Sequence, residues 1–187
     1  MISTIIFLIA DAFTAICWAR LLLQWAQLPY AHPLAQFCVF NTNWLIRPLR
    51  KLTPPLHYWD TACIVAVIVV YFLTCMMDQL VIQQHWHISM YMMAITLVTS
   101  LLLGMKSLCS VLVIGLLLRM LLSFSQPYSL LMTALQRIFM PLTRPFAFLR
   151  FGRYDFSGAV LIILLWLCMT IWLPQILSHL HLSILME

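Results

Sequence analysis

The stretch TACIVAVIVVYFLTCMM, residues 61–77, decides the fold. It holds no charged residue, Asp60 stands just before it, and the polar run Asp78 to His87 follows. At an α-helical rise of about 1.5 Å per residue such a run approaches the roughly 30 Å hydrocarbon core of a bilayer. Three more runs have the same character. Ile2 to Leu23 is interrupted only by Asp11 and Arg20, Ile88 to Phe124 carries only Lys106 and Arg119, and Phe156 to about Leu177 carries no charge. Hydrophobic residues make up 64% of the 187, charged residues 8%, and mean hydropathy is +1.02. A soluble domain carries about 25% charged residues, and a water-soluble fold of this size cannot bury so much apolar surface. Disorder is excluded too, because it needs low hydropathy and high charge. The sequence therefore predicts an all-α integral membrane protein with four transmembrane helices.

The remaining segments connect these runs. Gln24 to Pro55 is proline-punctuated and basic near its end, with Arg47, Arg50 and Lys51; Pro33 to Leu45 suits a short helix lying in the interface. Between Pro127 and Pro145, Leu131, Leu135, Ile138 and Leu142 keep helical spacing while Thr133, Gln136 and Arg137 take the other side, which predicts a second amphipathic interfacial helix. The run 88–124 is too long for one crossing. It lacks Pro and any turn cluster, so it reads as one long helix, bent near Gly104 or projecting at its outer end, with its span at about 98–124. Met1-Ile2-Ser3-Thr4 has no basic stretch, so the first run reads as a retained span rather than a cleaved signal. The six cysteines are scattered singly and read as small buried hydrophobes.

The two halves match. The first has Arg20, then Arg47-Pro48, then Asp60 and an apolar run; the second has Arg119, then Arg144-Pro145, then Asp155 and an apolar run. The intervals are 27 against 25 and 12 against 10 positions. Four shared features in one order make a repeat: residues 1–87 (spans about 2–25 and 60–80) and 88–187 (spans about 98–124 and 155–177). A unit of two spans returns the chain to its starting side, so the repeats are parallel and each reads helix–amphipathic connector–helix. Both connectors then share one face. All Lys and Arg except Lys106 lie in or beside them, so the positive-inside rule puts that face in the cytoplasm and both termini on the outer side.

These residues resemble the YggT family of small integral membrane proteins, also called YlmG-like. The family unit has an Arg late in its first span, a basic connector between prolines, and an Asp opening the next span. The first half fits with Pro48-Leu49-Arg50-Lys51-Leu52-Thr53-Pro54 and Asp60. The second keeps Arg119, Arg144-Pro145 and Asp155 but has Phe146-Ala147-Phe148 where the basic doublet would stand, with Arg150 and Arg153 further on. The resemblance implies a bacterial cytoplasmic (inner) membrane location. It also implies a link to osmotic tolerance and ion homeostasis or, in plastids, to haem attachment on a cytochrome. It implies no agreed chemical activity.

Several side chains invite a role. Asp60 and Asp155 fit helix N-caps, or they clamp Arg20 and Arg119 across consecutive spans. Asp11 lies about mid-span, where an ionisable group points to function. The repeat places Lys106 near its depth, which predicts an intramembrane Asp11–Lys106 pair; otherwise Lys106 snorkels outward. His85 and His87, with His179 and His181, end the two units. They read as interfacial imidazoles rather than a metal site, so no metal and no cofactor are expected. Arg47, Arg50, Lys51, Arg144, Arg150 and Arg153 set topology and meet anionic lipid headgroups; the alternative is an acidic protein partner. Trp25, Trp44 and Trp172 suit the interfaces. No folded nucleic-acid motif accompanies the basic clusters, so nucleic acid is not an expected partner. No catalytic constellation is visible, so the chain is expected not to be an enzyme. Two function classes follow: a membrane scaffold or assembly factor for other membrane proteins, including self-association, or a transport or channel component.

Overall fold

The computed structural model describes residues 2–53, 60–82, 90–125, 128–151, 154–155 and 157–176. Its elements are α1 (Ile2–Trp25), α2 (Pro33–Leu52), α3 (Thr61–Met77), α4 (Met90–Ser125), α5 (Leu130–Thr143) and α6 (Ser157–Leu167). α3 and α6 each continue into a five-residue π-helical turn, Asp78–Ile82 and Cys168–Trp172. Among the described residues, four helices are long and apolar enough to cross a membrane: α1, α3 with its extension, α4, and α6 with its extension.

α1, α3 and α4 pack as a three-helix core. Small side chains bring them together: Cys17 on α1 and Ala62, Cys63 and Ala66 on α3 are fully buried. Small residues substitute for apolar collapse as the device that holds helices together in lipid. On α4, a Cβ at Gly104 would lie 3.3 Å from Val67 Cγ1. Gly104 meets Val67, and nearer the N-terminus of α4 Thr96 hydrogen-bonds Gln79 at 3.1 Å, so α3 and α4 are antiparallel. Thr14 meets Ser107, and toward both C-termini Leu22 and Leu23 share a cavity lining with Gly115 and Leu118. α1 and α4 therefore run in the same direction. α6 packs on α4 and α5, outside that core. α4 is one continuous helix of 36 residues, as the absence of turn signals predicts.

Both amphipathic connectors lie at one end of the bundle. α2 starts with Pro33 at its first turn and His32 Nδ1 accepting from Leu34 N–H at 3.3 Å. α5 starts with Ser129 Oγ accepting from Met132 N–H at 3.1 Å. These N-caps satisfy backbone donors that would otherwise be orphaned. The inner face of α2 is Ala35, Cys38, Thr42 and Ile46; that of α5 is Met132, Leu135, Ile138 and Phe139. An apolar cavity of about 200 Å³, lined by Leu22, Cys38, Gly115 and Leu135 among others, is shared by α1, α2, α4 and α5.

α2 runs to Leu52, beyond the expected Leu45, and takes Pro48 inside it. The proline removes one backbone donor near the end of the helix, and the Thr53 N–H still closes onto Leu49 O at 2.9 Å. The second connector differs. α5 ends at Thr143, and Arg144–Leu149, including Pro145, form a 3-10 turn. Two two-residue strands follow, with Arg150 opposite Asp155 and Phe151 opposite Tyr154. No motif in the sequence announced this small ladder.

The C-terminus of α1 closes in a Schellman motif. Gln27 takes φ of 57°, its N–H donates to Gln24 O at 3.0 Å, and the Leu28 N–H reaches Leu23 O at 3.1 Å. A non-glycine residue rarely adopts this left-handed conformation. Here the Gln27 side chain helps to hold it: Arg137 of α5 donates to Gln27 Oε1 at 3.0 Å and to Ala26 O at 3.2 Å. A guanidinium beside the last carbonyls also suits the negative end of the helix dipole.

Candidate functional site: a polar cluster between α1, α3 and α4, and a charged collar at the connector end

A run of hydroxyls crosses the middle of the three-helix core. Tyr71, almost fully buried on α3, donates its O–H to Asp11 Oδ1 at 2.5 Å. The Thr14 hydroxyl lies 3.0 Å from Tyr71 Oη, 3.0 Å from Ser107 Oγ and 2.9 Å from Ala10 O. Thr14 and Ser107 are buried, whereas Asp11 lies at the exposed rim. Ser107 can donate to Thr14, Thr14 to Tyr71, and Tyr71 to the carboxylate, so the protons can line up toward Asp11. A buried polar network of this kind fixes helix register when every member is satisfied.

The expected Asp11–Lys106 pair is not formed; Tyr71 is Asp11's partner. The reason is angular. Ser107 faces α1, and each residue turns an α-helix by about 100°, so Lys106 leaves that face although its depth is close. Tyr71 is the residue that the sequence reading missed. It and Asp11 stand near the middle of consecutive helices, and a buried phenol needs a hydrogen-bond partner; that combination was the available signal. Tyr71→Phe is expected to destabilise the fold by about 1–3 kcal/mol, the cost of leaving buried partners unsatisfied. Unfolding in detergent checks this, and an unchanged midpoint would refute the network.

The second cluster collars the connector end. Arg20 is 4% exposed, and its Nη1 donates to Thr42 Oγ1 at 2.8 Å on α2. Thr42 in turn donates to Cys38 O at 2.7 Å. Asp60, 7% exposed, forms its ion pair with Arg50 near the end of α2. The expected Arg20–Asp60 clamp is thus replaced by two contacts, Arg20 with Thr42 and Asp60 with Arg50. Both bind the connector to the spans rather than one span to the next. Asp60 does occupy the N-cap position of α3, and its carbonyl accepts from Cys63 N–H at 2.9 Å. Its carboxylate makes no cap hydrogen bond: Arg50 holds Oδ2, and Oδ1 is buried without a hydrogen-bond partner among the described residues. The bond to Asp60 raises the pKa of Arg50, which stays a cation throughout. Burial raises the Cys38 thiol, with Arg20 pulling the other way, so Cys38 is a neutral thiol, as a buried hydrophobe should be.

Among the other expected site residues, Arg47, Lys51 and Arg144 are exposed on the connectors. Arg119 lies on α4. The side chains of Arg150 and Asp155, and all of Arg153, His85, His87, His179 and His181, lie outside the described residues. The proposed Arg119–Asp155 clamp and the paired histidines therefore fall outside them as well.

Residues 1–81 match the family model CCB3/YggT. This stretch is YggT-like and contains α1, α2, α3 and the whole Arg20, Arg50 and Asp60 collar; the match ends before α4 begins. No curated protein and no solved structure gave a significant match.

Proposed function

We propose, on the premise of that YggT-like first half, that the chain is a non-catalytic scaffold or assembly factor for other membrane proteins in the bacterial cytoplasmic (inner) membrane. The observation that carries this reading is the uncovered apolar flank of α4 and α6. Leu97, Leu101, Met105, Ile163, Leu164 and Trp166 all stand exposed. The core of α1, α3 and α4, by contrast, is filled by side chains. A filled core with a long free flank suits lateral association better than passage through the monomer. The shared direction of α1 and α4, and the meeting of α2 and α5 at one end, support two parallel repeats. The positive-inside rule then assigns that end to the cytoplasm and both termini to the outer side.

A second reading, a transport or channel component, is favoured by the Asp11–Tyr71–Thr14–Ser107 hydroxyl chain. One pair of experiments separates the two. Purification from native membranes after crosslinking is expected to bring down a stable membrane-protein partner. Liposomes holding the purified chain are expected to show no ion flux. Flux that is lost in Asp11→Asn would overturn the scaffold reading in favour of transport.

A further inference from the structure

The outer face of α2 combines two features that neither the polar cluster nor the collar uses. Its residues Phe37, Phe40, Trp44, Arg47 and Lys51 recur at helical spacing and all are exposed, Phe40 by 85% and Trp44 by 69%. The aromatic part comes first along the helix and the basic part last. Trp44, Arg47, Pro48 and Lys51 line an open groove of about 500 Å³. Arg50, about 100° round the helix from Lys51, lies at the edge of this face and is taken by Asp60. Among the described residues Arg47 and Lys51 have no carboxylate partner.

The Trp44 ring lies 5.8 Å from the Phe13 ring, centroid to centroid, and Phe13 sits midway along α1. The Trp44 ring therefore reaches down the apolar length of α1, while Thr42 and Arg50 on either side of it hold α2 itself at the charged collar. An aromatic ring at the boundary, with cations just beyond it, is the arrangement that meets a phospholipid at both its chain and its phosphate.

We propose that this groove is a binding site for one anionic phospholipid, its phosphate between Arg47 and Lys51 and an acyl chain along Trp44 and Phe40. The proposal rests on the membrane location and is independent of scaffold or transport. A basic residue near an anionic surface contributes about a fivefold factor in binding, so losing both costs roughly thirtyfold.

The test takes the full chain from nanodiscs of equal phosphatidylglycerol and phosphatidylcholine and counts retained lipids by native mass spectrometry. The wild type is expected to retain phosphatidylglycerol preferentially. Arg47→Gln with Lys51→Gln is expected to lower that retention by about thirtyfold. Arg47→Lys with Lys51→Arg keeps both charges and should retain the lipid. Equal retention of the two lipids by the wild type, or undiminished phosphatidylglycerol on the double Gln variant, would overturn the site. Displacement of the lipid by an equal concentration of free glycerol phosphate would do the same, because it would deny any contribution from Trp44 and Phe40.

Discussion

Arg50→Gln is expected to destabilise the fold by about 2–4 kcal/mol. Breaking a buried ion pair typically costs 3–5 kcal/mol because the remaining charge is stranded. The lower range applies here because Arg50 is 44% exposed and keeps part of its hydration, while Asp60 is 7% exposed. The stranded group is the carboxylate, so the sign of the next substitution follows. Adding Asp60→Asn to Arg50→Gln removes the stranded charge and should recover part of the loss. Arg20→Gln combined with Asp60→Asn should show a smaller coupling, since Arg20 donates to Thr42 and not to Asp60. Denaturant unfolding of the single and double variants in one detergent measures both couplings. An Arg20–Asp60 coupling larger than the Arg50–Asp60 coupling would restore the span-to-span clamp and remove the collar.

Gly115→Ala carries the second large effect. The added Cβ would lie 2.9 Å from Phe139 Cζ and 3.2 Å from Phe139 Cε2. Phe139 is buried on α5 but borders the apolar cavity of about 200 Å³, so its ring can give way in part and the cost falls toward the lower end of the range for overpacking. Overpacking of this kind costs about 1–3 kcal/mol. Phe139→Leu shortens the ring that is struck, so the pair Gly115→Ala with Phe139→Leu should be less unstable than the two single losses added together. Gly158 is the control, because a Cβ there meets nothing within 4 Å. If Gly115→Ala melts like Gly158→Ala, the close approach of α5 to α4 at this point is not as described.

The four long helices were legible because each is a run of apolar residues with few charges. Their order and ends follow from composition and the bilayer thickness alone. The connectors were legible through spacing, as Leu131, Leu135 and Ile138 show. What the sequence did not disclose is azimuth. Arg20, Arg47, Arg50 and Lys51 all belong near one level, and nothing in their order says which of them turns toward Asp60. The answer depends on α2 continuing as helix through Pro48, because that register brings Arg50, on the flank of α2, within reach of Asp60 while Arg47 and Lys51 stay along the open groove. A proline near the end of a helix reads as punctuation in a one-dimensional scan. The same limit governs the polar cluster. Depth could be counted from the repeat and brought Lys106 close to Asp11, but one step along α4 separates the face that carries Ser107 from the face that carries Lys106. The departure of the second connector was visible as the missing basic doublet after Pro145, though its outcome, a 3-10 turn and a short ladder, was not.

The guanidinium that finishes the end of α1 belongs to a residue 111 positions later in the chain. The Schellman bonds close the carbonyls of Leu23 and Gln24 locally, but until α5 has been made the Ala26 carbonyl must be met by water or headgroups. The end of α1 thus gains its last partner only once α5 has been made, and the turn into the first connector is fixed by a segment far along the chain.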